Sequence, residues 1–195
     1  MQCFEKDALD FVPASDIHPI VTGEKGLGWG VGLHGDMDTG PIKKEGDLKS
    51  VAGIFTFGKA FGIQTTQMRW PFIQITPKYF AVDDAHSKYY NTIQTSDEVF
   101  KDWQSAEEMH FYKIRYQLGI EIGHNQPVQE AIYGSCIFMH VWLCPTYPTK
   151  GCTAMDKTAM QQILFWLDPE KQPIIVQLPL SEYEDKKTQW NLPDL

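Results

Sequence analysis

The sequence lacks the long apolar runs and the basic excess that would point to a membrane span or to nucleic acid. No run of about 18 or more apolar residues occurs, so no transmembrane helix is expected. Lysine and arginine total 17 against 25 aspartate and glutamate residues, giving a net charge of −8. Because an acidic surface repels phosphate backbones, we expect no nucleic-acid partner.

Cysteine is scarce, and its spacing excludes two common kinds of site. The four cysteines are Cys3, Cys136, Cys144 and Cys152, and none belongs to a C-x-x-C pair. A zinc ribbon or a thioredoxin-type site is therefore not expected. Four cysteines in 195 residues do not make a disulfide scaffold either. Two alternatives remain for Cys136 and Cys144: a disulfide bridge between them, or two free thiols.

Composition and turn spacing predict one globular domain that is mainly β. Hydrophobic residues make up 43% of the chain and charged residues 22%, which is typical of a folded domain. Glycines and prolines separate short β-rich runs through the first two thirds, which favours many short strands. We expect a barrel-like or sandwich arrangement with one or two short helices. The predicted strands cover residues 18–22, 53–57, 72–75, 79–82, 113–122, 135–142 and 173–178.

Capping residues and apolar periodicity predict two helices. Asp156 is placed to cap a helix over 157–167, where apolar residues recur at the spacing of one helical face. Ser105 and Glu108 match a capping box, in which each side chain bonds the other's end of the first turn, and this predicts a second, short helix. The charged tail, 181–195, is expected to lie on the surface.

Cys152 has the surroundings that a cysteine nucleophile needs. Such chemistry requires a thiolate, a base that forms it, and donors for the developing oxyanion. Gly151 leaves the backbone open to a substrate carbonyl, and the N–H groups from Gly151 to Thr153 precede the predicted helix. The helix N-terminus and Lys150 add positive potential, which favours the thiolate.

His140 is the candidate base. It ends an apolar run, Ile-Phe-Met-His at 137–140, and a strand end can present an imidazole to a cleft from a rigid element. Eleven residues separate it from Cys152, which is enough for a loop that folds the cysteine back beside it. Spacing alone leaves open the alternative that both residues are structural.

The segment that begins at His140 and ends with Thr-x-Gly-Cys at 149–152 resembles the signature of the YkuD-type L,D-transpeptidases. Further segments that resemble this family lie at 26–34, 44–55, 82–91 and 134–140. Together they cover about residues 17–180, nearly the whole chain. Several features depart from the pattern. Lys150 stands where many members have His, and Ala154 where many have Arg or Asn. Ser50 and Val51 stand where Thr-Pro is commoner, and the spacing from His140 to Cys152 is at the short end.

The resemblance implies a fold, an activity and a mechanism. It implies a single L,D-transpeptidase-like catalytic domain over 1–195 that acts on peptidoglycan stem peptides and uses no metal or cofactor. Cys152 would attack a stem tetrapeptide and form a thioester as D-alanine leaves. His140 would move the proton, and the backbone of Gly151 and Thr153 would hold the oxyanion. An amine would then resolve the thioester into a cell-wall cross-link.

The resemblance also implies a place for the protein. We expect a periplasmic or extracellular location at the cell wall, although no signal-peptide pattern is visible at the start of the sequence. We further expect a monomer.

Five residues are candidates for substrate contact, each with a plainer alternative. Asp83 and Asp84 could bind the ammonium of a diamino acid, or they could shape a turn. Trp142 and Tyr147, which lie on the loop between base and nucleophile, could line the acyl-donor cleft, or they could have only a packing role. Lys150 could donate to a substrate carboxylate or lie solvated.

Other functions stay open. A peptidoglycan hydrolase on the same scaffold, a carboxypeptidase or an amidase, would resolve the thioester with water. A catalytically silent wall-binding module would carry an unreactive Cys152. A papain-like protease is disfavoured because its cysteine precedes the histidine and opens a long helix. The Gly-x-Gly-x-Gly run at 28–32 lacks the Lys-Ser/Thr of a phosphate loop, so a Gly-rich turn is favoured over nucleotide binding.

Overall fold

Strands dominate the chain. The computed structural model describes residues 1–8, 10–35, 40–127 and 129–195. Within them the strands are β1 Phe4–Asp7, β2 Asp10–Pro13, β3 Ile20–Val21, β4 Leu27–Trp29, β5 Ser50–Gly62, β6 Phe72–Gln74, β7 Tyr79–Val82, β8 Thr92–Thr95, β9 Ala106–Glu108, β10 Gly119–Ile122, β11 Phe138–Val141, β12 Thr153–Met155 and β13 Ile174–Gln177. The α-helices of these residues are α1 Lys157–Trp166 and α2 Leu180–Trp190. The prediction of a mainly β architecture is confirmed, and the main sheet curls into a half-barrel.

Strand β5 is the centre of the main sheet because its two halves take different partners. Its first half pairs with β4 and β13, and its second half pairs with β10 and β6. From β10 the sheet continues through β11 and β12 to β3. Strands β11 and β12 run parallel, with His140 opposite Ala154. The parallel pairing brings the segment just before β12 beside the start of β11.

Strand β11 is buried on both faces. Met139 belongs to the larger apolar cluster, which also contains Leu164 of α1. Phe138 belongs to a smaller cluster with Tyr116. Because successive side chains of a strand point to opposite faces, His140 shares the face of Phe138. Its ring meets that of Tyr116 edge to face, with centroids 5.5 Å apart.

Helix α1 begins where the sequence predicts it. The Asp156 carboxylate accepts a 2.7 Å hydrogen bond from the Thr158 N–H, which satisfies one of the open donors of the first turn. The helix buries its apolar face, including Met160 and Leu164, in the larger cluster. Helical dihedrals end at Trp166, although the Leu167 N–H still bonds the Ile163 carbonyl at 3.0 Å.

Two local predictions are wrong, and both fail where distant pairing overrides a short-range pattern. The capping box predicts a helix from Ser105, but Ala106–Glu108 is strand β9, which pairs antiparallel with β7. The strand predicted over 113–122 exists only at its end, as β10. Upstream of it, Arg115–Gln117 is a 3-10 turn that carries Tyr116 into the smaller cluster.

The termini hold elements that the sequence did not predict. Strands β1 and β2 form a hairpin, and the indole N–H of Trp166 in α1 donates to Glu5 of β1 at 3.2 Å. The charged tail is mostly exposed, as expected, but it forms helix α2, whose Trp190 ring lies 6.4 Å from that of Trp29. No helix of the described ranges has the length and apolar character to cross a membrane.

Candidate functional site

The turn that presents Cys152 is held by two hydroxyl groups. The Thr149 hydroxyl donates to the Cys152 carbonyl and accepts from the Gly151 N–H at 3.2 Å. The Ser50 hydroxyl of β5 donates to the same carbonyl at 2.7 Å. Gly151 has a φ of +147°, a conformation that residues with a side chain rarely adopt. The Thr-x-Gly-Cys motif therefore forms a backbone turn that hydrogen bonds fix in place.

This turn limits which N–H groups can meet an oxyanion. The Gly151 N–H would have to leave the Thr149 hydroxyl first. Thr153 is fully buried in β12, and its hydroxyl donates to the Gln177 side chain at 2.7 Å. The role predicted for the Gly151 N–H thus requires it to exchange the Thr149 hydroxyl for the substrate oxygen.

The Cys152 thiol rests against the backbone of the segment leading into β11. Its sulfur accepts from the Phe138 N–H at 3.4 Å and faces the Cys136 carbonyl at 3.7 Å. The pKa of the thiol is raised to about 12, chiefly by burial and to a smaller extent by the negative charge of Glu107. The Phe138 N–H and two cations, Lys43 and Arg115, oppose that rise.

The pKa of Cys152 is therefore raised, whereas the sequence predicts surroundings that favour the thiolate. Lys150 is exposed. The cation that lies behind the turn is Lys43, which is 3% exposed. A Cβ placed on Gly151 would lie 3.8 Å from its Nζ atom. Burial outweighs this favourable charge.

His140 has the state that a general base requires. It is 5% exposed, and burial lowers its pKa to about 4, so the ring is neutral near pH 7. Its Nδ1 atom lies 2.8 Å from the carbonyl oxygen of Val141. Because a carbonyl only accepts, the neutral ring must carry its proton on Nδ1, which leaves Nε2 with a lone pair for a thiol proton.

Cys152 and His140 both contact the same aromatic cluster, but no hydrogen bond joins their two side chains. Cys152 packs against the cluster that contains Phe138 and Tyr116, and the His140 ring contacts Tyr116. The hydrogen bonds of the two side chains instead run to backbone groups. Proton transfer therefore needs the thiol to turn from the Cys136 carbonyl toward the imidazole.

Glu107 is a further carboxylate at this cluster, and the sequence analysis did not identify it. The Tyr116 hydroxyl donates a short hydrogen bond to the Oε2 atom of Glu107. Glu107 is mostly buried, and burial raises the pKa of its carboxyl group. Sequence reasoning missed it because Glu107 lies inside the supposed capping box, whereas pairing of β9 with β7 turns it toward the site.

Lys43 was missed for a different reason. Its ammonium donates to the Lys44 carbonyl at 2.8 Å and to the Asp47 carboxylate at 2.5 Å. The spacing of lysine and aspartate four residues apart is ordinary on any surface. Only the path of the loop before β5 brings this ion pair beneath Gly151, and no local signal in the sequence encodes that path.

The five predicted substrate residues occupy different environments. Asp84 accepts hydrogen bonds from the backbone of His86 and Gln104, which is the turn alternative. Asp83 is only partly exposed, and its Oδ1 atom is buried without a hydrogen-bond partner in the described residues. Trp142 is half-buried, whereas Tyr147 and Lys150 are exposed.

The remaining thiols are free. Cys136 is partly buried, and its thiol donates to the Val82 carbonyl at 3.4 Å, while Cys144 is exposed on the loop after β11. The bridge left open between Cys136 and Cys144 is therefore absent. Across the described part of the chain, no three histidine, cysteine or carboxylate side chains are grouped so that they could hold a metal.

The chain matches no protein-family model, no curated protein and no solved structure. The resemblance to the L,D-transpeptidases therefore rests on the motifs quoted above. Any functional conclusion has to come from the geometry around Cys152 and His140.

Proposed function

We propose that this protein is a cysteine acyltransferase of the YkuD-type L,D-transpeptidase class, with that family's fold, that acts on peptidoglycan stem peptides at the cell wall. The observation that carries the proposal is the meeting of Cys152 and a neutral His140 at one aromatic cluster. The bonded Thr-x-Gly-Cys turn adds support, because it fixes the nucleophile's backbone before substrate binds.

The reaction would proceed in two balanced halves. The Cys152 sulfur attacks the amide carbonyl as Nε2 of His140 takes the thiol proton, and a C–S bond forms. The tetrahedral intermediate breaks its C–N bond, and the leaving D-alanine takes the proton from His140. An amine then attacks the thioester, its proton passes through His140, and the C–S bond breaks to restore the thiol.

Hydrolysis on the same scaffold is the second candidate. It differs only in the last step, where water rather than an amine attacks the thioester. Cys152 is itself partly exposed, and the loop over residues 143–148 that precedes it is exposed throughout, so water has a path to a thioester formed there. This exposure is the observation that favours a hydrolase.

The test is to incubate the protein with purified muropeptides and to identify the products by mass spectrometry. We expect loss of D-alanine and a cross-linked dimer, and Cys152→Ala should give neither. A shortened monomer without dimer would mean that the hydrolase is correct. Unchanged muropeptides with the wild type would refute both reactions and support a silent wall-binding module.

A carbapenem gives an independent readout of the nucleophile. Its strained amide carbonyl should acylate Cys152 and raise the intact mass by one adduct. The same adduct on Cys152→Ala would assign the acylated residue elsewhere. Cys144→Ser serves as the matched control because Cys144 is a free thiol outside the cluster.

A further inference from the structure

The sequence has two arginines, and the described residues supply a carboxylate partner for only one of them. Arg69 pairs with Asp168 at 2.8 Å. The Arg115 guanidinium forms no ion pair and no hydrogen bond with the described residues, although the chain contains 25 aspartate and glutamate residues. Because a guanidinium offers five N–H donors, Arg115 retains its capacity to bind an acceptor from outside the chain.

Two aromatic rings nevertheless hold Arg115 in a defined place. Its Cζ atom lies 5.6 Å from the centre of the Tyr112 ring and 6.0 Å from that of the Tyr147 ring. At these distances the faces of the rings attract the positive charge. A guanidinium that stacks on aromatic faces keeps the N–H groups along its edge for a planar acceptor. The two tyrosines therefore restrict the cation without using its donors.

The position of Arg115 can be reached from solution. Its side chain is partly exposed, and Tyr147 is 53% exposed. Tyr147 belongs to the exposed loop over 143–148, whereas Tyr112 and Arg115 belong to the 3-10 turns before β10. The cation thus lies where two separate segments of the chain meet at the surface.

This position borders the proposed catalytic pair. Arg115 directly precedes Tyr116, whose ring meets that of His140 with centroids 5.5 Å apart. The Tyr112 ring lies 5.7 Å from the Tyr116 ring. Tyr112 and Cys152 both pack against the small apolar cluster. A ligand on Arg115 would therefore lie beside the same aromatic residues as the thiol and the imidazole.

The surroundings of Arg115 favour an organic carboxylate as that ligand. One guanidinium matches one carboxylate through two parallel N–H···O bonds. The net charge of −8 disfavours a ligand with several negative charges. Phe111 and Ile114, close by in the chain, are 78% and 61% exposed, so apolar surface is available for the rest of an organic molecule. A few polar groups beside apolar surface are typical of small-molecule sites.

We propose that Arg115, held between Tyr112 and Tyr147, binds one carboxylate group, either of a small organic acid or of a peptide C-terminus. Two N–H groups of the guanidinium donate to the two carboxylate oxygens, and the exposed side chains of Phe111 and Ile114 contact the remainder of the ligand. The inference concerns binding alone, so it does not depend on the proposed acyl transfer.

The two arginines give the test an internal control. In protein labelled with nitrogen-15, each arginine contributes one Nε–H resonance near pH 6, and Arg115→Gln assigns both because it removes one. Sodium acetate at constant ionic strength should shift the Arg115 resonance along a saturable curve. The Arg69 resonance should stay in place, because Asp168 already binds that guanidinium. Equal movement of both resonances, or movement without saturation, would overturn the site.

A pair of peptides identifies the source of the carboxylate. Acetyl-alanyl-alanine and its C-terminal amide differ by the one charge that Arg115 would bind, so the acid should shift the Arg115 resonance and the amide should not. An acid peptide that binds at least about 10-fold more tightly than acetate would assign the site to a peptide C-terminus. Equal affinities would assign it to a small free acid. Equal binding of the amide, or tighter binding of inorganic phosphate than of acetate, would overturn the carboxylate assignment.

Substitutions of exposed or partly exposed side chains test the geometry by calorimetry with the tighter of acetate and the acid peptide. Arg115→Lys keeps the charge but loses the paired donors, so the affinity should fall at least about 10-fold. Tyr147→Leu should weaken binding by only about 3-fold, the size of one exposed cation–π contact. Lys113→Gln, which removes an exposed cation two residues away, is the matched control and should change nothing.

The outcomes also separate this inference from the proposed function. Unchanged affinity in Arg115→Lys, or a larger loss in Lys113→Gln than in Arg115→Lys, would overturn the role of Arg115 and leave acyl transfer standing. Muropeptides that the wild type leaves unchanged would refute acyl transfer, whereas saturable binding at Arg115 would still support the carboxylate site.

Discussion

The face of β11 that meets α1 and the face that meets Tyr116 differ in chemistry although they share one four-residue strand. On the first face, Met139 and Leu164 lie in an apolar cluster and are fully buried. On the second, His140 and Tyr116 are buried with polar groups that must each find a partner. Apolar packing and the groups proposed to react therefore lie on opposite sides of the same backbone.

The largest effect on the reactive face should come from His140. His140→Asn should lower turnover by about 10²–10⁴-fold, the usual contribution of a general base, because the His140 ring contacts Tyr116 of the cluster against which the thiol packs. Turnover and melting temperature should be measured together. His86→Asn, which changes a fully solvated histidine, is the control. If His140→Ala unfolds the protein while the milder His140→Asn leaves the reactivity of Cys152 unaltered, His140 is a packing residue.

The largest effect on the apolar face should come from Leu164. Leu164→Ala should lower the free energy of unfolding by about 2–5 kcal/mol, because it leaves a cavity between α1 and β11. The folded fraction should keep its turnover. Phe165→Ala is the matched control on the same helix, since that side chain is 49% exposed. A selective loss of turnover in folded Leu164→Ala would show that the two faces are not independent.

A fall in pH should destabilise the protein, because His140 and His124 are buried in their neutral form. Burial lowers the pKa of His140 and of His124 to about 4, from an ordinary value of 6.5. Between these values the unfolded chain binds protons that the native protein does not, so stability falls as the pH falls. Each histidine should contribute on the order of 3 kcal/mol over this window.

The contribution of His140 to this acid effect is the difference in stability loss between the wild type and His140→Asn. Chemical denaturation of the wild type and of His140→Asn from pH 7 to pH 4.5 should show a smaller loss of stability in the variant. Glu107 and Glu121, whose pKa values are raised, act in the opposite direction but are common to both proteins. Parallel stability curves would mean that His140 is protonated without cost.

The turn before β12 should show a smaller effect. Thr149→Val removes the hydroxyl that bonds both the Cys152 carbonyl and the Gly151 N–H. We expect a loss of about 1–2 kcal/mol in unfolding free energy, since two ordinary hydrogen bonds are lost. Thr146→Val, in the exposed loop, should change stability little. An unchanged melting temperature for Thr149→Val would show that Ser50 alone holds the turn.

The smallest effect concerns the order in which thiols react. Cys144 is exposed, and hydrogen bonds from the side chain and backbone of Thr146 lower the pKa of its thiol. A maleimide near pH 7 should therefore label Cys144 before Cys152, with Cys136 and Cys3 slower because burial raises their pKa values. Peptide mapping over time would measure the order, and faster labelling of Cys152 would contradict its suppressed resting state.

The sequence was most informative where local signals and tertiary structure agree. Asp156 and the apolar spacing after it predict α1 to within one residue at its end. The strand predicted at Tyr79–Val82 has the bounds that the structure gives β7. In both cases the apolar residues that carry the local sequence signal are also the residues whose side chains the fold buries.

Sequence reasoning failed where the deciding partner is distant. The run after Ser105 satisfies a helix cap, yet backbone pairing with β7 makes it strand β9. The alternation at 113–122 suggests a strand, but Ile114 is 61% exposed while Tyr116 is buried by a 3-10 turn. The motif predicts Cys152 and His140 as site residues and stays a prediction, whereas Lys43 and Glu107 come near them only through the fold.

The parallel pairing of β11 with β12 has a consequence for how this site can vary. His140 and Ala154 are held by the sheet, and the Cys152 turn is tied to Ser50 of β5. The six residues from 143 to 148 loop out from between these anchors and are all exposed. Loops of this kind accept insertions and deletions because little packing depends on them. Substitutions, insertions or deletions in this loop should therefore leave the sheet pairing of His140 and the Cys152 turn in place.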